Sequence, residues 1–150
     1  MARCTGDDFE RLSFHDCHIW GLQFRAGDAE RGEWVSELEL DIDYILEWRH
    51  TQDGYSFLVV PVSLRFHQVF GLRIAIDWQS PSAGMGPFSL AGIERRVEER
   101  ERYSATLWNL PINWPSGAIE FEATGFTQAS QGPEVVSTSQ CLGKGRRGDA

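Results

Sequence analysis

No run of apolar residues in this chain approaches the ~20 that a membrane-spanning helix needs. Cysteine is scarce: Cys4, Cys17 and Cys141 are the three in the sequence. The number is odd and no CxxC spacing occurs, which argues against a disulfide framework and fits a reducing compartment. The opening "MARCTGDDFERL" lacks the apolar core of a secretory signal, so the cytoplasm is the expected location. Positive charge is also short. The net charge is -8 and the isoelectric point is near 4.9. Nucleic acids and anionic lipid surfaces are bound through Lys and Arg, so neither is expected as a partner. A basic protein or a cation suits such a surface better. Phosphate-cradling loops of the GxxxxGK[ST] or GxGxxG type are missing, and "SAGMG" reads as a glycine-rich turn. No internal repeat and no interdomain linker is visible.

Aromatic and aliphatic residues, in contrast, are plentiful. Hydrophobic residues make up 41% of the chain, with six Trp and nine Phe among its 150 residues, enough for one domain with a real core. Their spacing has a period of two. In "ELELDIDYILEW", Leu38, Leu40, Ile42, Tyr44, Leu46 and Trp48 occupy even positions, while Glu37, Glu39, Asp41, Asp43 and Glu47 occupy odd ones; only Ile45 breaks the pattern. Successive strand side chains point to opposite faces, so this is a strand with one apolar and one acidic face. Its length predicts a bend or bulge within it. The same alternation groups Phe14, Trp20, Leu22 and Phe24; then Val60, Val62, Leu64 and Phe66; then Leu72, Ile74, Ile76 and Trp78; then Ile119, Phe121 and Ala123. Turn formers lie between these groups, in "RAGDAERGE", "HTQDGY", "VFG", "SPSAGMGP" and "LPINWPSG". Leu40, Ile42, Tyr44, Leu46, Ile74 and Ile76 are the expected core.

The stretch "RRVEERERYSATLW" predicts a strand beginning near Val97, with "SLAGIE" as a short helical turn before it. The expected fold is mainly β: a single-domain antiparallel sandwich or partly open barrel of six to eight strands with little helix. Residues 1–12 form a lead, residues 13–128 the β domain, and residues 129–150 a loose tail of turn formers, with a short edge segment at Val135 and Val136. The end of the tail, with Lys144, Arg146 and Arg147 against Asp149, runs against the acidic charge of the rest.

Two groups of residues could carry chemistry. The first is His15, Asp16, Cys17 and His18 within "SFHDCHIWGLQF". A straight strand would put His15 and Cys17 on one face and Asp16 and His18 on the other, so one metal ion cannot take all four. A zinc site would have to recruit His67 or Asp43 to complete about four ligands. His50 and His67 have no motif spacing, and no metal or cofactor is expected. A nucleophilic Cys17–His pair would need an exposed turn holding the thiol beside its base. The helical His-Asp pair of the HD phosphohydrolases has no counterpart in a strand-rich chain. His15, Asp16 and His18 are therefore read as a polar anchor for the first strand, the Asp16 carboxylate paired with His18 or an arginine. The second group is the acidic row Glu37, Glu39, Asp41 and Asp43, about 7 Å apart along one strand face. It is read as a solvated outer face, as a binding surface for a basic partner or, least favoured, as a catalytic or metal-binding row.

The segments "FHDCHIWGLQF", "LELDIDYILEW", "VVPVSLRFHQVFGLRIAID" and "GAIEFEATGFTQ" together resemble a group of small uncharacterised bacterial β proteins that open with a Phe-His-Asp strand. The resemblance covers Phe14 to Gln128. More weakly, the chain is similar to immunity proteins of bacterial polymorphic-toxin systems, the immunity-protein-50 type. The resemblance implies a cytoplasmic bacterial β protein and carries over no catalytic residues. Three functions are then open. The first is a non-catalytic binding protein, of the immunity-protein kind that the resemblance implies, that caps a basic toxin with its acidic strand. The second is a small-molecule-binding barrel or sandwich whose aromatic residues line a pocket. The third is a metal-dependent hydrolase using His15, Asp16, Cys17 and His18.

Overall fold

Alternating apolar and polar residues fold here as strands because each strand can bury one face and pair both edges. The computed structural model describes residues 1–147. Its strands are β1 (Cys4–Thr5), β2 (His18–Arg25), β3 (Ser36–Thr51), β4 (Gly54–Ile76), β5 (Phe88–Leu90), β6 (Glu94–Glu99), β7 (Ser104–Trp114), β8 (Gly117–Glu122), β9 (Gly125–Ser130) and β10 (Val135–Ser137). All strand pairs are antiparallel and the ten strands make one sheet. Helix is confined to short 3-10 turns. The strand count exceeds the expected six to eight because β1, β5 and β10 are only two or three residues long.

Hydrogen bonding runs from β2 through β3, β4, β8, β7 and β5 and returns to β2. The closure is slight, since β5 meets β2 only at His18 and Ile19. Beyond that point β2 leaves the ring, and Leu22 and Phe24 stand exposed although they lie opposite the buried Leu40 and Leu38. The architecture is a partly open barrel.

The interior follows the even positions of β3 and β4: Leu38, Leu40, Ile42 and Tyr44 pack with Val60, Val62, Leu64 and Phe66. Phe66 meets Trp108, Phe121 and Phe126 edge-on, with ring centres 4.7–5.6 Å apart. The expected irregularity of β3 is a register shift between Ile45 and Glu47. It turns Ile45 into the core and leaves Leu46 only partly covered and Trp48 exposed. The expected lead folds as β1 and a 3-10 turn over Gly6–Arg11, capped reciprocally by Thr5 and Asp8. It lays Phe9 against Trp108 and Phe126.

Four expectations are corrected. "VFG" does not reverse the chain: β4 runs through it, bent where Gln68 (φ 54°) and Gly71 (φ 62°) take left-handed backbone. That bend carries the strand from pairing with β9 to pairing with β8. Ile74 lies outside the core, 42% exposed, although it pairs with the buried Ile119. "SLAGIE" is not helical; its first residues pair as β5. The strand expected from Val97 is two strands, β6 and β7, joined by a hairpin at Arg100–Tyr103.

Residues 129–147, expected as a loose tail, pack over the outer face of β3 and β4. β10 includes the foreseen edge segment and pairs Val135 with Val59. Gln131 N–H donates to Pro61 C=O, and Leu142 is fully buried. Only glycine fits at 132, where a Cβ would lie 2.5 Å from the Arg147 carbonyl oxygen and 2.7 Å from the Pro61 ring. The last three residues of the expected tail lie outside the described residues. Among the described residues no helix is long and apolar enough to cross a membrane.

Candidate functional site

The His-Asp-Cys-His stretch does not begin inside a strand. His15 and Asp16 form a turn, with Asp16 at φ 62°, and β2 starts at His18. Aspartate tolerates this backbone because its short side chain bonds locally. The Asp16 N–H donates to Leu90 C=O, and Leu90 N–H donates to Cys17 C=O, which stitches the turn to β5. The Asp16 carboxylate accepts from Asn113 at 2.9 Å and Gln140 at 3.3 Å, and His15 Nε2 lies 3.4 Å away. The side-chain partners of Asp16 are therefore His15 and two amides rather than His18 or an arginine. His15 also contacts Ala91 C=O at 3.0 Å and stacks on Trp48. His18 makes no side-chain hydrogen bond with the Asp16 carboxylate among the described contacts, although the Asp16 charge and backbone act on its imidazole. Burial holds its imidazole below the usual pKa, and its Nδ1 is buried without a hydrogen-bond partner among the described residues. Cys17 is fully buried, and burial pushes its thiol up to about 12. It is no thiolate nucleophile near neutral pH. Among the described residues, no three His, Cys, Asp or Glu side chains are grouped so as to hold a metal ion.

The acidic row keeps its single face but is not simply solvated. Glu37 meets Arg65 at 3.6 Å and His67 Nδ1 at 3.3 Å, while His67 Nε2 lies 2.8 Å from the Thr127 hydroxyl. Glu39 accepts from the Ser63 hydroxyl at 2.7 Å and pairs with Arg25 at 3.0 Å and Arg65 at 3.5 Å. The Ser63 hydrogen bond, then the two arginines, hold its carboxyl below the usual range. Asp41 pairs with Arg147. Asp43 is 0% exposed and takes Arg147, Trp20 Nε1–H at 3.1 Å and Leu142 N–H at 2.8 Å. Arg147, itself 3% exposed, and Lys144 both lie 5.7 Å from the centre of the Trp20 ring. The chain's own cations thus occupy the row from Glu37 to Asp43.

A different surface is open. Residues opposite one another on paired strands share a face. The register of β4, β8, β7 and β6 aligns Arg73, Glu120, Asn109 and Glu94 in one line, and Phe70, Glu122, Leu107 and Arg96 in the next. Apart from Arg73, these residues line a groove of about 960 Å³. At one end Arg100 donates to Tyr103 Oη at 2.6 Å and to Glu122 Oε1 at 2.9 Å. Glu94 accepts from Asn109 Nδ2 at 2.9 Å, while Asn109 Oδ1 is buried without a partner among the described residues. Phe70, 50% exposed, supplies an apolar wall.

Compared with known proteins, the chain matches no family model, no curated protein and no solved structure. Neither the groove nor Arg147 stood out in the sequence. In the sequence Glu120 and Glu122 simply alternate with Ile119, Phe121 and Ala123, and the charged first half of "RRVEERERYSATLW" runs into the strand expected from Val97. The alternation of Glu94, Arg96 and Glu98 was the available signal. Arg147 had none, because its partners lie more than a hundred positions away.

Proposed function

We propose that this chain is a non-catalytic binding protein and that the groove across β6, β7 and β8 receives a small organic ligand. The observation that carries this reading is the groove itself. Its volume of about 960 Å³ falls within the ~300–1,000 Å³ of small-molecule sites. It combines apolar walls, Phe70 and Leu107, with carboxylates and guanidinium groups at fixed positions. That lining suits a ligand with an apolar body and charged or hydrogen-bonding ends. The acidic strand is the less favoured primary surface, since each of its four carboxylates already has partners within the chain. A cytoplasmic bacterial setting belongs to the same proposal, and the three unpaired cysteines support its reducing part.

A thermal-shift screen of a metabolite library tests the reading, with Phe70→Asp, which replaces the apolar wall by a charge, as the control. Phe70 is half exposed, so the variant should fold. The expected result is a ligand that raises the wild-type melting temperature and leaves that of Phe70→Asp unmoved. A library that yields no hit, or hits that shift both proteins equally, overturns it.

A further inference from the structure

β6 ends the sheet and, among the described residues, pairs with β7 alone. Its outer edge therefore offers a row of N–H and C=O groups to another strand. The hairpin fixes which groups those are. Arg100 N–H donates to Tyr103 C=O at 2.9 Å, so in the antiparallel ladder Glu94, Arg96 and Glu98 also turn their backbone groups to β7. Arg95, Val97 and Glu99 turn theirs outward.

Charge along this edge is antisymmetric. "ERRVEER", from Glu94 to Arg100, has Val97 at its centre. Laid antiparallel on a copy of itself about Val97, it sets Glu94 against Arg100, Arg95 against Glu99 and Arg96 against Glu98, each twice. Its three Glu and three Arg cancel, so a chain of net charge -8 presents a neutral edge here. The centre is apolar, with Val97 60% exposed. Charged edges ordinarily prevent pairing by setting like against like. This one does so only in other registers: a slip of two residues sets Arg96 against Arg96 one way and Glu98 against Glu98 the other. We propose that β6 is a homodimer interface, in which the β6 strands of two copies pair antiparallel about a two-fold axis at Val97.

The axis makes the contact isologous and closed. Val97 exchanges both backbone bonds with the partner's Val97, and Arg95 does so with the partner's Glu99, so outward groups meet outward groups. On the groove face Arg96 meets the partner's Glu98. These two side chains are 72% and 45% exposed and within one strand approach only to 3.4 Å. Arg95 is already held by Gly6 C=O and Glu10, so the Arg96–Glu98 pair, made twice, selects the register. A six-residue strand gives a small contact, and the dimer dissociates on dilution. The pairing needs nothing in the groove, and its test is independent of the groove's ligand.

Sedimentation equilibrium of the full chain from micromolar to millimolar concentration is the test. Wild type should form a dimer and nothing larger. Arg96→Glu and Glu98→Arg, made singly, each set like charges together twice and should weaken association at least about tenfold, although the first makes the net charge more negative and the second less. Mixed in equal amounts, the two variants should form a heterodimer, since glutamates then face arginines. The double variant Arg96→Glu/Glu98→Arg should regain the homodimer. Val97→Pro removes an outward N–H that β7 does not use and should abolish association in a folded chain. Wild type that stays monomeric at millimolar concentration overturns the proposal. So do single variants that associate like wild type, a mixture of the two that stays monomeric, or a folded Val97→Pro that still dimerises. If Val97→Pro does not fold, the mixture decides, because both positions changed in it are exposed.

Discussion

The two halves of β4 have the same kind of sequence and opposite environments. From Phe57 to Phe66 most of the strand is buried: Val60, Val62, Leu64 and Phe66 lie in the core cluster with Phe57 and Val59, Val59 pairs with Val135, and Gln131 N–H donates to Pro61 C=O, while Ser63 and Arg65 are only partly covered. From Phe70 to Ile76 the apolar alternation continues, yet Ile74 is 42% exposed and only Leu72 and Ile76 pack partly against the core. Alternation reports which side chains share a face; it does not report what covers that face. Coverage comes from distant chain: β9, β10 and Leu142 over the first half, and little over the second. The covered half is where the arginine is clasped, and the uncovered half borders the groove.

The sharpest way to break this comparison is to place the same charge in each half. Leu64, at 0% exposure, becomes an unpaired buried carboxylate in Leu64→Asp. Such a change costs more than about 4 kcal/mol and should unfold a domain whose whole stability is about 5–15 kcal/mol. Ile74→Asp leaves its charge in water and should cost less than about 1 kcal/mol. Urea melts of the two variants, followed by far-ultraviolet circular dichroism, should separate them by at least half the wild-type midpoint. Equal midpoints would mean that the bent end of β4 is covered after all.

The next largest effect concerns the cover. Arg147→Ala leaves the Asp43 carboxylate buried without its counter-ion, for which about 3–5 kcal/mol is the usual cost. Asp41→Asn, at a partly exposed position, should cost about 1 kcal/mol or less. If Arg147→Ala melts like wild type, the segment of residues 129–147 is held by Leu142 and β10 alone.

Local information made the barrel legible. The even positions of β3 and the run Val60 to Phe66 state their own faces, and the charge opposite them states which side is out. Two kinds of feature were hidden. One is a backbone decision that no side chain advertises: Gln68 and Asp16 adopt left-handed conformations, so a turn signal became a bend and a strand start became a turn. The other is long-range pairing. Asp43 looked like one more outward carboxylate, and only the arrival of Trp20, Leu142 and Arg147 makes it a buried one. The groove was hidden for the same reason, since its floor takes residues from four strands whose register the sequence does not print.

The smallest predicted effect sharpens the comparison at the boundary of the covered region. Glu39 lies beside that region, and its carboxyl is held down first by the Ser63 hydroxyl and then by Arg65 and Arg25. A carboxyl whose pKa is lowered on folding adds stability at pH values above its ordinary value, 4.5 for glutamate. That contribution disappears as the pH falls through the lower folded value. Ser63→Ala removes the leading cause while Arg25 and Arg65 remain at 3.0 and 3.5 Å. The variant should lose about 1 kcal/mol at pH 7, and its deficit should shrink as the pH falls below the ordinary glutamate value and through the lowered folded value, where the carboxylate takes up its proton. Urea midpoints of wild type and Ser63→Ala measured from pH 7 to pH 3 check this. A deficit that stays constant across the range would mean that Ser63 acts by packing on its neighbours, and that the outer face of β3 draws no measurable stability from the charge state of Glu39.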